Sequence, residues 1–373
     1  MEDSEERSNA GNASSAATPP QRTLFAMAKG DGEDSYSKNS QFQAIVTEVP
    51  RAALDEMLEK LTLPSGTVTV RVADLGSASG PNTIASIAHI VAKLRDRVPK
   101  DAEFQAYFND VPSNDFNNLF QLLSSDSRAR TFFSAGAPGS FFYRIFPKSS
   151  VHVFYSAFAL HWLSKVPDAV LDKHSPAYNK GKIWYQHSQS AVARSFQQQA
   201  LLDLKNFFVA RAAELVSGGL LFLVFNGRET SKPHECDGDI TCNFQSDFGE
   251  VFSGLVAEGL VTEQRCETFN LPVYHHNGDD IREALACCGS MFKVDVMKLH
   301  KTDFCQSFVA MDTTALARQK TITYRAALNP LLEAHFGVNI ADAIWQRFEQ
   351  LVKSKFGRRP DILTQWILAL TRN

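Results

Sequence analysis

Val70-Arg71-Val72-Ala73-Asp74-Leu75-Gly76-Ser77-Ala78-Ser79-Gly80-Pro81-Asn82 is a β-branched run that stops at Asp-Leu-Gly, crosses a turn of small residues and enters a helix through Pro81. Glycines let a backbone pass close to a ligand, and proline at a first helical position costs no hydrogen bond. A strand end, a tight turn and a helix start together form the nucleotide-type site of an open α/β sheet. The spacing is not Gly-x-Gly-x-x-Gly, and no P-loop of the Gly-Lys-Ser/Thr type occurs, which weighs against NAD and ATP. Asp-Leu-Gly followed by a second glycine suits a nucleoside without a pyrophosphate, such as S-adenosylmethionine.

Outward from this stretch, alternation over Thr67–Leu75 predicts the first strand. Ile84, Ile87, Ile90, Leu94 and Val98 then follow at helical spacing. Glu103–Asn109 predicts the next strand, closed by Asp110 and Pro112, and Val151–Ser156 a third. A helix is expected from about Phe196 to Val216, stopped by Gly218-Gly219, before a buried strand at Leu220–Phe225. Phe292–Leu299 and Phe304–Met311 read as a closing pair of strands. Strands alternating with helices predict a doubly wound sheet. Segments 228–290 and 320–360 read as helical caps over its carboxyl edge, and no internal repeat is visible.

The chain has 373 residues, 44% hydrophobic and 21% charged, which is ordinary for a globular protein. Its net charge of -3 provides no basic field for nucleic acid or anionic membranes, and no apolar run reaches the roughly 18 residues of a membrane span. Residues 1–22 are acidic, then rich in Ser, Ala and Asn, and read as a disordered tail ahead of one domain over 23–373. All six cysteines lie between Cys236 and Cys305 without a Cys-x-x-Cys pair, which reads as free thiols in a reducing, cytoplasmic setting.

A carboxylate ending the second strand, Asp110, can accept both hydroxyls of a ribose; a turn-forming Asp before Val111-Pro112 is the equal alternative. Ser140-Phe141 can offer a hydroxyl and a ring to a base, or simply form a turn. His161-Trp162 follows a strand end, and an indole N–H is a donor suited to an anionic oxygen, although a lone Trp more often packs a core. Gln43 is individually uninformative, and His275-His276, beside Asn277-Gly278-Asp279, read as an exposed turn. No Gly-x-Ser-x-Gly elbow supports hydrolase chemistry.

Taken together, the motifs resemble the plant SABATH methyltransferases, the salicylic and benzoic acid carboxyl methyltransferases and the caffeine-pathway N-methyltransferases. The resemblance runs from about Met27 to the C-terminus. Its landmarks include Ser35-Tyr36-Ser37-Lys38-Asn39-Ser40, Ala73-Asp74-Leu75-Gly76 with Ser79-Gly80-Pro81-Asn82-Thr83, and Phe108-Asn109-Asp110. Pro138-Gly139-Ser140-Phe141, Leu160-His161-Trp162-Leu163-Ser164, Asn179-Lys180-Gly181 and Phe269-Asn270-Leu271-Pro272 continue it, and Pro330-Leu331-Leu332 extends it into the cap.

The resemblance implies a Rossmann-like methyltransferase: an α/β fold with a seven-stranded, largely parallel sheet and a helical cap, acting as a homodimer on a small molecule. By matching position, Tyr36, Ser40, Asp74, Ser77, Asn82, Asp110, Val111, Ser140, Phe141 and Ala157 would surround S-adenosylmethionine. Gln43 and Trp162 would hold an acceptor carboxylate, and Phe158 and His161 would line its ring. Asn179, Glu267, Phe269 and Asn270 match positions that hold magnesium in some members, with Glu267 where Asp is usual. Gln245 and Tyr324 fall at variable positions of the acceptor pocket.

The implied reaction is methyl transfer to the carboxylate of a small aromatic acid, giving an ester without a general base, because such acids are ionised at neutral pH. The alternatives are an aromatic thiol or ring nitrogen as acceptor, with His161 as the base for a thiol, and a non-catalytic binding protein for small acids.

Overall fold

The structure, a computed structural model, describes residues 26–64, 66–235, 238–303, 311–355 and 361–373. The segment expected as a tail, 1–22, lies outside them, as do residues 304–310 of the strand expected to end at Met311.

β1 runs over Thr69–Leu75, with Val70, Val72, Ala73 and Leu75 buried. Gly80 caps the helix Pro81–Arg95, which buries Ile84, Ile87, Ile90, Val91 and Leu94 along one stripe. The other strands are β2, Glu103–Asp110; β3, Phe133–Pro138; β4, Val151–Ala157; β5, Leu215–Asn226; β6, Phe292–Asp303; and β7, Ile362–Arg372. They form one seven-stranded sheet in the order β3-β2-β1-β4-β5-β7-β6. β7 runs antiparallel to both its neighbours, and every other pairing is parallel. This is the expected largely parallel α/β sheet. Its chain order reverses between β1 and β4, so a crevice opens at their carboxyl ends.

One sheet face packs on the helices Arg51–Lys60 and Pro81–Arg95, through Leu54, Leu58, Ile84 and Ile87. The opposite face packs on Ser190–Glu214 and Gly278–Ala286, through Leu204, Phe207, Phe208, Ile281 and Ala284. A separate aromatic core forms the cap from Ile240–Ala257, Thr313–Phe336 and Val338–Lys355, with Phe244, Phe248, Phe252, Phe336, Trp345 and Phe348 at its centre. Segment 228–290 thus divides between cap and sheet. The N-terminal helix Gln41–Glu48 bridges cap and sheet, its Phe42 and Val46 clustering with Ile240, Leu316 and Leu363.

Several expectations are corrected. The antiparallel partner of β6 is β7, at the end of the chain. The long helix ends at Glu214, and the strand after it starts at Leu215 and runs through Gly218-Gly219. Those glycines are therefore no helix stop. They form an irregularity in the β4–β5 ladder, where Gly218 has φ +77 and a Cβ on Gly219 would stand 3.0 Å from the carbonyl oxygen of His152. Cys266, Cys287 and Cys288 are free, but Cys242 is disulfide-bonded; pairing depends on which thiols the fold brings together, and spacing does not reveal that. Among the described residues, no helix is long and apolar enough to cross a membrane.

Candidate functional site

The backbone N–H groups of Gly76 and Ser77 both donate to the carbonyl of Asn109, at 2.9 Å, which joins the turn after β1 to the end of β2. Gly76 has φ +76, and a Cβ there would lie 2.3 Å from the Cβ of Ala159, so only glycine fits. Ala78 and Phe158 also hold left-handed backbones, at φ 51 and 58, a strained state for residues with side chains. The turns after β1 and β4 are thus both wound tightly around the crevice.

Below these turns lies a cavity of about 390 Å³, lined by Tyr36, Asp110, Val111, Ser140, Phe141 and Ala157 among others. A small recess of about 40 Å³ adjoins it, lined by Asp74, Ser77 and Asn82 together with Tyr36 and Ala157. Nine of the ten expected cofactor residues therefore face one connected region. Ser40 stands behind it, where its carbonyl accepts a hydrogen bond from Asn82 Nδ2 at 2.9 Å.

Asp110 accepts from the backbone N–H groups of Ala78 (2.8 Å) and Val111 (2.7 Å), and Asp74 accepts from the Thr83 hydroxyl. Burial pushes the Asp110 carboxyl up to about 6 despite those two backbone donors. Burial, with Asp110 nearby, pushes Asp74 up to about 7 although the Thr83 hydrogen bond opposes it. Burial and the two acids raise the Tyr36 hydroxyl further from ionisation. No basic side chain among the described residues pairs with either acid. The region holds negative charge in waiting for a cation.

The loop carrying Ser140 and Phe141 is clamped from behind. Arg211, fully buried, donates to the carbonyls of Phe141 (2.7 Å) and Tyr143 (2.9 Å) and pairs with Glu214. Glu214 in turn accepts from the backbone of Phe146 at 2.8 Å and of Ile145 at 2.5 Å.

A second cavity, of about 130 Å³, lies under the cap. Tyr36, Phe158, Trp162 and Met27 line both cavities and so form the wall between them. Gln43, His161 and Tyr324 line the second cavity. Neither the Gln43 carboxamide nor the Trp162 indole N–H bonds another described group, and Gln43 Oε1 is buried without a partner. Gln245 is a correction: its helix presents Ile240, Thr241 and Phe244 to the cavity, while Gln245 turns away and donates to the carbonyl of Gln186 at 2.6 Å.

His275 and His276 are also corrected. They are 1% and 2% exposed, just ahead of Asn277, which caps the helix Gly278–Ala286. Burial, with His276 nearby, lowers His161 to about 3; burial lowers His275 well below the usual histidine range, and His276 to about 4. Burial therefore keeps the His161 and His275 rings of this cavity neutral near neutral pH. Sequence reasoning also missed Trp184, Thr241, Lys320 and Thr323 in its wall.

The four positions matched to magnesium do gather. Asn179 Nδ2 donates to Asn270 Oδ1 (2.7 Å), the Ser188 hydroxyl donates to Asn179 Oδ1 (2.9 Å), and the Tyr178 hydroxyl donates to Glu267 (3.1 Å). Magnesium requires several free hard oxygens in a near-octahedral array. Here both amide oxygens already accept hydrogen bonds, and Glu267 is the single carboxylate of the four. Among the described residues, no group of three or more His, Cys, Asp or Glu could hold a metal. The set does not fit magnesium; its hydrogen bonds brace the loops under the cap.

A family model described as SAM dependent carboxyl methyltransferase matches residues 22–373. Indole-3-acetate O-methyltransferase 1 of Arabidopsis thaliana is 35% identical over 353 residues, covering 89% of this chain and 90% of its own. Gibberellic acid methyltransferase 2 of the same plant is 33% identical over 347 residues, covering 89% of each. Among solved structures, a loganic acid methyltransferase with SAH superposes with a TM-score of 0.83 at 32% identity, covering 93% of this chain and 98% of that one.

Proposed function

The chain belongs to the S-adenosylmethionine-dependent carboxyl methyltransferases, and from that premise we propose that it esterifies the carboxylate of a small aromatic acid. The observation that carries this reading is the pairing of two uncommitted donors, Gln43 and Trp162, with an acceptor cavity whose His161 and His275 rings burial keeps neutral.

The larger cavity fits the methyl donor. It offers a glycine turn, Asp110 for ribose hydroxyls, the Ser140-Phe141 loop for the base, and buried acids without a basic partner for a positively charged ligand. When bound, S-adenosylmethionine supplies a methyl group on a positively charged sulfur, which an acceptor oxygen takes while that sulfur keeps the bonding pair.

The chain's own residues then orient and exclude water. Gln43 and Trp162 each give one hydrogen bond to the carboxylate and direct a free lone pair toward the shared wall. Holding the reacting atoms roughly 3 Å apart in a near-attack arrangement supplies several kcal/mol of the barrier reduction. Neutral donors suit this task, because charge leaves the oxygen in the transition state and a tight ion pair would hold it back. Phe158, Tyr324 and the neutral rings of His161 and His275 provide a dry wall that favours the uncharged ester.

A carboxylic acid with a pKa of about 4 arrives already ionised. A thiol or a ring N–H needs its proton removed, and a histidine lowered to about 3 is a poor base for that step. This supports oxygen over sulfur or nitrogen. The test is a screen of small acids, aromatic thiols and xanthines with labelled methyl donor. Alkali-labile methyl esters are expected; turnover confined to thiols or ring nitrogens would contradict the reading.

A further inference from the structure

Lys320 is 2% exposed, yet it lines the acceptor cavity and not the cofactor cavity. Its ammonium donates to Asp361 Oδ1 at 2.7 Å, and Asn243 Nδ2 donates to the same oxygen at 2.9 Å. An ammonium has three hydrogens, and among the described residues Asp361 is its one partner. A second buried donor lines the same cavity: among the described residues, the Trp184 indole N–H has no hydrogen-bond partner. Buried donor capacity left unused costs free energy, and one unpaired N–H in the same cavity wall as an ammonium with hydrogens to spare points to a ligand that satisfies both.

This group cannot be the carboxylate that is methylated. That carboxylate must sit against the wall shared by the two cavities, which Lys320 and Trp184 do not reach. A cation bonded to it would also hold back the charge that must leave its oxygen. Nor does a second anion suit the place, since Asp361 already balances Lys320 and a further buried negative charge would stand uncompensated.

Resting on the carboxylate reading above, we propose that Lys320, with Trp184, determines specificity by hydrogen-bonding a neutral oxygen, a hydroxyl or carbonyl, on the body of the acceptor acid away from its carboxylate. The acceptor class is then an oxygenated acid rather than a plain hydrocarbon one. The fold places this subsite in the cap through Thr313–Phe336 and fixes it from the sheet side through Asp361.

The test uses the full chain, labelled methyl donor and matched acids: cinnamic with 4-hydroxycinnamic, phenylacetic with 4-hydroxyphenylacetic, and cyclohexanecarboxylic with 4-oxocyclohexanecarboxylic acid. Terephthalic acid represents a second carboxylate. The wild type should favour the oxygenated member of its best-used pair by about 10-fold or more in kcat/KM, chiefly through KM. Lys320→Met alone strands Asp361, so Lys320→Met/Asp361→Asn is the main variant and Trp184→Phe the second. Both should bring the ratio to within about 3-fold. Equal use of both members of every pair, a preference that survives in Lys320→Met/Asp361→Asn, or a preference for terephthalic acid would overturn the proposal while the carboxylate reading stands. Methylation of no acid by a protein that binds S-adenosylmethionine would overturn both.

Discussion

Gly76 and Ala159 meet so closely that a methyl group added to the glycine would stand 2.3 Å from the Cβ of the alanine. This contact locks the turn after β1 against the turn after β4, on either side of the crevice where the sheet order reverses. Gly76→Ala must therefore push the two turns apart and also strain a backbone at φ +76. We expect affinity for S-adenosylmethionine to fall at least about 10-fold, which is about 1.4 kcal/mol, by calorimetry. An unchanged dissociation constant in the folded variant would contradict the assignment of this cavity.

Asp110 carries the next expectation. Asp110→Asn keeps the size and an acceptor oxygen but removes the charge, and should weaken S-adenosylmethionine by about 1.5–3 kcal/mol. Because burial pushes this carboxyl up to about 6, wild-type affinity should also weaken as pH falls through that value and the acid takes up a proton. Binding that is flat from about pH 5 to about pH 8 would contradict the role.

Arg211 tests the clamp on the Ser140-Phe141 loop. Arg211→Met leaves the Glu214 carboxylate, fully buried, without its cation, and frees the carbonyls of Phe141 and Tyr143. The expected loss is about 3–5 kcal/mol in urea unfolding, and Arg211→Met/Glu214→Gln should recover part of it. A single-variant loss below about 1 kcal/mol would show that the pair does not hold the loop.

Stability of the ligand-free protein should fall on acidification below about pH 6.5. His161, His276 and His152 are lowered to about 3, 4 and 4, and His275 well below the usual range, all chiefly by burial. Between those values and the ordinary one, the unfolded chain binds protons that the folded chain refuses, so stability present above pH 6.5 is lost on the way down. Asp74 and Asp110 act in the opposite sense, since the folded chain keeps their protons up to about 7 and 6. Burial also lowers His300 and raises Asp203, and the lowered histidines still outnumber the raised acids, so a net loss remains near pH 5, at about 1.4 kcal/mol per proton per pH unit. Urea midpoints that stay level from pH 7 to pH 5 would contradict this sum.

The cofactor side was largely legible in the sequence because it is local. A β-branched run, a glycine turn and Pro81 mark the end of β1 within thirteen residues, and Asp110 stands at the matching end of β2. The edge strand β3 escaped because Phe-Ser-Ala-Gly-Ala-Pro has no β-branched residue and little to bury. The acceptor side is non-local. Its wall draws on Gln43, Trp162, Trp184, Thr241, His275, Lys320 and Leu363, and no spacing links a lysine in a cap helix to an aspartate beside the last strand. Gln245 shows the same limit, since a loose placement on a helix does not fix which face a side chain takes.

In the proposed mechanism an ionised carboxylate is oriented by donors, with no proton to remove. This mechanism is tested most directly by kcat with an acid acceptor at saturating S-adenosylmethionine, measured from about pH 6 to about pH 8.5 for the wild type, Trp162→Phe and His161→Ala. Saturation keeps the titration of Asp110 out of the result. The wild-type profile should be nearly flat, Trp162→Phe should lie about 10-fold or more below it, and His161→Ala should stay within a few-fold. A wild-type rate that climbs with pH, with a large loss from His161→Ala and little from Trp162→Phe, would contradict the account.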